Sequence, residues 1–287
     1  MDAVPTPRTA EGREGLAAIV GEPQRALVAF DFDGTISPIV PDPDDARAHP
    51  GAVPALTRLA PSLRAVAVIT GRPAEAAVRY SGLGEAEGLE HLTVLGAYGA
   101  ERWDAATGSV SAVEPPPGIA AVRAELPGLL DELDAPPGTS TEDKGRAVAV
   151  HTRRTEDPAA AFELLRDPLF ALADRHGLVV EPGRMVLELR APGIDKGAVL
   201  EEYVREVGAG AVLYAGDDLG DLAAFVAVEK LREAGVPGLL VCSGGAGTDE
   251  HVPEVADRAD IVVDGPAGVV RLLAALADMI AEGGGRG

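Results

Sequence analysis

The sequence predicts an α/β fold, a doubly wound parallel sheet with an inserted α+β cap domain. Five short apolar runs lack the alternation of a half-exposed strand, and most of them end abruptly at a polar residue or a glycine: 27–30, 66–69, 211–215, 238–241 and 261–263. Unbroken runs of this length are typical of strands that are buried on both faces. Helical patterns between the runs favour parallel βαβ units.

Four helices are predicted between or after these strands, each opening after Gly, Pro, Asp or a similar start signal: 74–80, 196–207, 222–234 and 269–281. In open parallel sheets, ligands bind beyond the carboxyl ends of the strands. The polar residues that follow the apolar runs fall at those ends. The sequence therefore predicts one shared site at that edge of the sheet.

The stretch between residues 70 and 196 is much longer than one βαβ unit needs, which is roughly 30 residues. It opens near the prolines at 115–117, and its segments 146–152 and 185–190 alternate in polarity as half-exposed antiparallel strands do. We predict a small α+β domain at residues 112–190 that stands over the strand ends. Residues 1–111 and 191–287 would then form the core domain.

Composition limits the function classes. The chain has 287 residues, 46% of them apolar, and a formal charge of −21, which argues against nucleic-acid and anionic-membrane partners. We find neither a leader-like segment nor an apolar stretch long enough to span a membrane, and therefore expect a cytoplasmic protein. The single cysteine, Cys242, excludes an internal disulfide. The oligomeric state is left open, a monomer included.

Acidic residues dominate the predicted site. Asp31 and Asp33 follow the first strand with Gly34 permitting a tight turn, and a second strand end supplies Asp217, Asp218 and Asp221. Five carboxylates at one edge repel one another unless a cation or protonation compensates their charge. Oxygen ligands without a Cys or His cluster favour Mg²⁺.

The motifs resemble, in order, those of the haloacid dehalogenase superfamily, whose core is Rossmann-like. The resemblance implies that Asp31 is a nucleophile forming an aspartyl phosphate and that Asp33 is the acid and base. It also implies that Thr70 binds the phosphoryl group and that Lys196 neutralises charge. The implied Mg²⁺ ligands are Asp31, the Asp33 carbonyl and Asp217, with Asp218 and Asp221 as further ligands or as support behind the metal.

From residue 27 to residue 263 the chain is similar to the trehalose-6-phosphate phosphatase family. The likeness is carried by Phe30 to Thr35, Ile69 to Pro73, Gly99 to Glu101, Glu142 to Gly145, His151-x-Arg153 and Gly183 to Arg190. It implies a sugar phosphate substrate whose hydroxyls contact Glu142, Lys144 and Glu188 in the cap. The other substrate-binding residues that we infer from it are Gly71, Arg72, His151, Arg153 and Arg184.

Several alternatives stay open at this stage. Glu142-x-Lys144 also fits an exposed charge pattern beside a strand, and His151 fits a packing role as well as ligand contact. A related sugar phosphatase acting on sucrose phosphate or a mannosyl-glycerate phosphate would use the same chemistry. A phospho-receiver module is the remote, non-enzymatic alternative, but it would need neither the acid Asp33 nor a cap, and its acidic pair and acceptor come in the reverse order.

Overall fold

A computed structural model describes residues 4–40, 42–183, 185–193, 195–244 and 252–284. The chain divides into two compact units. Residues 1–111 and 195–287 form the first unit, and residues 112–194 form the second. The first unit is built on one large sheet and the second on a small one, as their strands show.

Strands are numbered along the whole chain. Those of the large sheet are β1 (Ala26–Phe30), β2 (Ala65–Ile69), β3 (Leu92–Gly96), β4 (Glu101–Asp104), β5 (Ser109–Ala112), β10 (Ala211–Gly216), β11 (Gly238–Ser243) and β12 (Ile261–Val263). Their order across the sheet, within the described residues, is β12-β11-β10-β1-β2-β3-β4-β5. The strands from β12 to β3 run parallel, and β4 pairs antiparallel with β3.

Helices cover both faces of this sheet, which confirms the predicted doubly wound α/β fold. The helices of the first unit are α1 (Ala10–Gly21), α2 (Ala52–Leu59), α3 (Ala74–Ser81), α6 (Lys196–Val207), α7 (Leu222–Glu233), α8 (Pro253–Arg258) and α9 (Gly265–Gly284). The core on one face takes residues from α1, α2, α3 and α9. The core on the other face takes residues from α6, α7 and α8.

The structure contains all five predicted strands. Their apolar runs are buried throughout, apart from the half-buried Val262 in β12, as expected for strands that are covered on both faces. In the large sheet, the sequence interpretation missed β3, β4 and β5. The polar Thr93 interrupts β3, and its hydroxyl lies 2.9 Å from Asp104 on β4. Strand β4 carries three charged residues, a composition that is more typical of a loop.

The second unit is an antiparallel sheet packed against two helices. Its elements are β6 (Ser140–Asp143), β7 (Ala147–His151), β8 (Val179–Gly183), β9 (Val186–Arg190), α4 (Pro117–Glu132) and α5 (Pro158–Arg175). The strand order is β6-β7-β9-β8, with every pair antiparallel. The two alternating segments predicted in this region are thus confirmed as the adjacent strands β7 and β9. One face of the sheet packs its aliphatic residues on the two helices.

Strand β1 lies in the middle of the large sheet, between β10 and β2. Phe30 at its end is in register with Ala215 of β10 and Val68 of β2. The residues that follow these three strands therefore meet at one edge. No helix among the described residues is both long enough and apolar enough to cross a bilayer.

Candidate active site

The turn after β1 carries Asp31 and Asp33. The Asp31 N–H donates to the carbonyl of Ala215, which ties the start of the turn to β10, at 3.0 Å. Gly34 has a positive φ of 74°. A Cβ built on Gly34 would lie 2.0 Å from Asp217 Oδ2. Only glycine therefore allows the β1 turn and the β10 turn to approach this closely.

Three buried carboxylates converge where these turns meet. Within the described residues, oxygen atoms of Asp31, Asp217 and Asp221 all lie within 4.8 Å of one another. The hydroxyl of Thr35 donates to Asp217 Oδ1 at 2.8 Å and fixes that carboxylate. The predicted ligand Asp218 lies outside this group and is exposed. Its side chain caps the short helical turn that ends at Asp221, so its role as a ligand stays a prediction.

Lys196 supplies the buried positive charge of the site. It is the first residue of α6, where the side chain of Asp195 accepts a hydrogen bond from the Ala198 N–H and caps the helix. The Lys196 Nζ lies 3.0 Å from Asp31 Oδ2 and 2.8 Å from Asp221 Oδ1. One ammonium group is therefore shared between two carboxylates of the cluster.

Asp221 accepts hydrogen bonds through both of its carboxylate oxygens. Its Oδ1 accepts from Lys196 and from the Tyr214 hydroxyl at 2.6 Å. Its Oδ2 accepts from the N–H groups of Asp217 and Asp218, at 2.9 Å and 3.3 Å. These four bonds occupy the lone pairs of a carboxylate, so Asp221 has none left for a metal. This arrangement agrees with a supporting role behind the metal ligands.

The protonation preferences follow from this packing. Burial raises the pKa of Asp31 well above its ordinary value, and the charge of Lys196 only partly offsets this. Burial and the neighbouring Asp221 likewise raise the pKa of Asp217. Burial also raises the pKa of Asp221, but Lys196 and the other donors outweigh it, so its pKa is lowered. Burial lowers the pKa of Lys196, but the negative charges of Asp221 and Asp31 raise it by more. The pKa of Lys196 is therefore raised on balance, and the ammonium stays charged.

A divalent cation fits this balance of charge. Asp31 and Asp217 have raised pKa values because burial disfavours their negative charges and the charge of Asp221 adds to this effect. A cation between them would stabilise both as carboxylates. The donors are oxygen atoms, which suit a hard cation rather than zinc or copper.

Thr70 and Arg72 follow β2 on the other side of Asp31. The Thr70 hydroxyl oxygen accepts from the Arg72 N–H at 3.1 Å, which leaves its own proton available to a ligand. The Arg72 guanidinium makes two hydrogen bonds to Asp33, at 2.6 Å and 2.8 Å. It also lies 5.6 Å from the ring centre of Phe32 and 5.4 Å from that of Tyr80. Arg72 was predicted to bind substrate, and here it orients the carboxylate of Asp33.

Gly71 stands between these two residues and next to Tyr98. A Cβ on Gly71 would lie 2.9 Å from the Tyr98 ring. Tyr98 has a positive φ of 54°, and its N–H donates to the Thr70 carbonyl at 3.0 Å. The glycine therefore permits close packing beside Thr70. Its role in substrate binding stays a prediction.

The sheet face that the helices of the second unit leave uncovered carries Glu142, Lys144 and Glu188. Glu142 of β6 is in register with Ala149 of β7, which is in register with Glu188 of β9. Lys144 Nζ bonds Glu188 Oε2 at 2.5 Å. Glu188 is buried, and its other oxygen, Oε1, has no hydrogen-bond partner among the described residues. A buried acceptor of this kind is costly unless a ligand satisfies it.

Three predicted substrate-binding residues remain, and these are His151, Arg153 and Arg184. His151 Nε2 lies 2.9 Å from Glu142 Oε2 on the same sheet face. His151 is thus held by a polar partner rather than by apolar packing. Arg153 is exposed in the turn after β7. Arg184 lies outside the described residues.

The sequence interpretation missed three residues that hold the site together. They are Thr35, which bonds Asp217, Tyr214, which bonds Asp221, and Ser243, whose hydroxyl donates to the Gly34 carbonyl at 2.7 Å. Thr35 lies in the first acidic motif, and Tyr214 lies two residues before Gly216. Their closeness in sequence to the acidic residues was the signal that could have pointed to a role in the site. The bonds of Thr35 and Ser243 join separate strand ends, and the Tyr214 hydroxyl bonds a residue in the turn after its own strand. No local sequence pattern reports such contacts.

Comparison with solved structures defines the class of the fold. The chain is similar to a trehalose-6-phosphate phosphatase C-terminal domain from C. albicans, with a TM-score of 0.75, 21% identity and coverage of 96% of this chain and 99% of that one. It is also similar to a haloacid dehalogenase-like hydrolase from Bacteroides thetaiotaomicron, with a TM-score of 0.59, 15% identity and coverage of 86% and 98%. The fold is therefore that of the haloacid dehalogenase-like proteins.

Sequence comparison identifies the family. The family model described as trehalose-phosphatase matches residues 29–255, and the chain belongs to this family. A trehalose-phosphate phosphatase of Mycolicibacterium paratuberculosis is 38% identical over 289 residues, which cover 96% of this chain and 66% of the relative. One of Mycobacterium tuberculosis strain H37Rv is 32% identical over 280 residues, covering 90% and 63%. The chain thus spans slightly less than two thirds of the length of these relatives.

Proposed function

We propose that this protein is a Mg²⁺-dependent phosphomonoester hydrolase that converts trehalose 6-phosphate to trehalose and phosphate. The observation that carries the proposal is the buried pairing of Lys196 with Asp31, beside Asp217, in a chain of the trehalose-phosphatase family. A lysine that holds a buried carboxylate is what a phosphoryl-transfer nucleophile requires. The substrate follows from the family and from the curated relatives, which are trehalose-phosphate phosphatases.

The reaction uses two carboxylates: Asp31 forms and then releases the bond to phosphorus, and Asp33 gives and then takes a proton. An Asp31 oxygen attacks phosphorus while the bond from phosphorus to the sugar oxygen breaks, and Asp33 gives that oxygen its proton. Asp33 then takes a proton from water, whose oxygen attacks phosphorus and releases Asp31. Thr70 donates to the phosphoryl oxygens, and Lys196 neutralises the charge that they share with Asp31.

The metal site is assigned to Asp31, the Asp33 carbonyl and Asp217, with Asp218 as a further candidate ligand. When bound, Mg²⁺ supplies positive charge to the phosphoryl oxygens. Thr35 holds Asp217 for this purpose, and Gly34 allows the two turns to meet. Asp221 keeps Lys196 in place from behind.

Sugar recognition is assigned to Glu142, Lys144 and Glu188 of the second unit, which we propose to be the cap. The Lys144–Glu188 pair and the unsatisfied Glu188 Oε1 offer donors and acceptors to hydroxyl groups. His151, held by Glu142, belongs to the same face. We further propose that the protein works in the cytoplasm on a small-molecule sugar phosphate.

The related sugar phosphatases that act on sucrose phosphate or mannosyl-glycerate phosphate remain the second candidate function, because they would use the same catalytic groups. A receiver module is disfavoured by the family match and by the acid Asp33. The observation that separates the two phosphatase candidates is substrate preference alone.

The chemistry is tested by phosphate release from trehalose 6-phosphate, with Mg²⁺ or with EDTA. We expect chelator to stop release and Mg²⁺ to restore it. Asp31→Asn should lower kcat by about 1,000-fold or more, because an amide of the same shape cannot attack phosphorus. Circular dichroism should show the parent fold. Turnover that persists in EDTA or in Asp31→Asn would contradict the proposed chemistry.

A further inference from the structure

Tyr214 is a fully buried tyrosine near the carboxyl end of β10, two residues before Gly216. Its ring meets the ring of Phe225 on α7 edge to face, with the ring centres 6.1 Å apart. The strand and the ring contact together fix the direction of the hydroxyl. It points at Asp221, the residue that precedes α7, and donates to Oδ1 at 2.6 Å.

The same oxygen of Asp221 also accepts from Lys196. The Lys196 ammonium therefore has two carboxylate partners at nearly equal distances, Asp221 at 2.8 Å and Asp31 at 3.0 Å. The position of the ammonium between the two carboxylates depends on how much negative charge each carboxylate oxygen keeps. A hydroxyl that donates to Asp221 Oδ1 draws charge from that oxygen and weakens its hold on Lys196.

We propose that Tyr214 is a positioning residue for catalysis, which sets through Asp221 how closely Lys196 approaches Asp31. This inference rests on the proposed phosphatase function. Without the hydroxyl, Asp221 Oδ1 keeps Lys196 as a donor but loses Tyr214, so the ammonium moves toward Asp221 and away from Asp31. The transition state then loses part of the charge neutralisation at the nucleophile.

The chain offers a matched control in Tyr203. This tyrosine is also buried, lies on α6 two turns after Lys196, and donates a hydrogen bond to a side chain. Its partner is the Thr93 hydroxyl on β3, at 2.9 Å. Tyr214→Phe and Tyr203→Phe thus remove the same atom from comparable surroundings, and they should cost similar thermal stability. Only the first removes a hydrogen bond to Asp221.

The kinetic test compares both variants on trehalose 6-phosphate at saturating Mg²⁺. Tyr214→Phe should lower kcat about 10-fold while KM changes less than about threefold, the pattern of an interaction that matters chiefly in the transition state. Tyr203→Phe should keep the parent kcat. Equal kcat values in the two variants, or a loss that appears only in KM, would overturn the proposal.

A second measurement works without turnover. The chain has three lysines, Lys144, Lys196 and Lys230. Selective ¹³C and ¹⁵N labelling of lysine therefore gives three side-chain signals, and Lys196→Met assigns the one from the site. Tyr214→Phe should shift the Lys196 signal and leave the other two unchanged, whereas Tyr203→Phe should shift none.

The two measurements separate failure of this inference from failure of the proposed function. If the parent hydrolyses no sugar phosphate, the proposed function fails, and the lysine signals alone decide whether Tyr214 positions Lys196. An unchanged Lys196 signal in Tyr214→Phe overturns the inference whatever the activity. A shift of all three signals in both variants also overturns it, because the effect is then a general loosening of the fold.

Discussion

At the scale of single residues, Glu142 and Lys144 flank Asp143, whose partner lies on the other side of the sheet. Asp143 lies between them on β6 but pairs with Arg123 on α4, at 2.7 Å, which is the helix side of the sheet. Glu142 and Lys144 belong to the opposite face with Glu188. Adjacent charged residues of one short motif therefore have different partners, and substitutions can separate their roles.

We predict that Glu142→Ala, Lys144→Ala or Glu188→Ala lowers kcat/KM on trehalose 6-phosphate by about 10-fold to 1,000-fold, the range for charged hydrogen bonds to a buried sugar. On a small aryl phosphate, which carries no sugar, the variants should resemble the parent. Asp143→Ala serves as the control and should match the parent on both substrates. Parallel losses on both substrates would mean that the three residues support folding instead of sugar binding.

The sequence indicated the acidic residues, Thr70 and Lys196 because each stands at a strand end or helix start, where a local pattern is visible. It did not indicate that Arg72 would bond Asp33, since the two residues follow different strands. Tyr214 looked like one more apolar strand residue. Its importance depends on a hydroxyl reaching across to Asp221, and such a distance exists only in the folded chain.

At the scale of elements, helices α5 and α6 each begin after an aspartate whose side chain caps the first turn. Asp195 accepts from the Ala198 N–H at 2.8 Å and precedes α6, which begins with Lys196. Asp157 accepts from the Ala160 N–H at 3.0 Å and precedes α5 in the second unit. Loss of either cap should lower stability by about 1 kcal/mol. The consequences for catalysis should differ, because one cap adjoins the site.

We predict that Asp195→Ala lowers kcat on an aryl phosphate by about threefold to 10-fold, since fraying of the first turn of α6 displaces Lys196. Asp157→Ala should leave that kcat unchanged. Urea unfolding measures the stability loss in both variants, and Asp195→Ser should restore stability and activity together. Equal losses of activity in both Ala variants would show that the α6 cap has no particular effect on the site.

The buried parallel strands could be predicted because short, uninterrupted apolar runs fit a strand buried on both faces and are too short for a helix. Helices α4 and α5 could not, because each contains a proline in its interior, Pro127 and Pro168, and prolines signal helix ends. Both helices nevertheless form, since each buries an aliphatic face on the small sheet. Tertiary packing there outweighs the local cost of the proline.

At the scale of the whole molecule, the buried carboxylates make stability depend on pH and metal. Burial raises the pKa of Asp31 and Asp217 in the folded chain. Their contribution to stability is therefore present below the ordinary carboxyl pKa of about 4 and is lost as the pH rises through the raised folded values. A bound cation reverses this loss, because it stabilises the deprotonated forms.

We predict that Mg²⁺ raises Tm by several degrees near neutral pH and by clearly less near pH 5, where protons compete for the same carboxylates. A ligand at about 100 times its Kd stabilises by about 2.7 kcal/mol, which is enough for such a shift. Asp217→Asn should remove most of the Mg²⁺ effect. An equal Tm gain at both pH values, or in that variant, would place the cation elsewhere.

The assignment of the substrate is tested most directly by one comparison. Initial rates of phosphate release should be measured with Mg²⁺ on trehalose 6-phosphate, sucrose 6-phosphate and a mannosyl-glycerate phosphate in parallel. We predict that kcat/KM for trehalose 6-phosphate exceeds that for each of the others by about 100-fold or more, as charged residues on a sugar pocket allow. Equal rates on all three, or a preference for either alternative, would contradict trehalose 6-phosphate as the substrate.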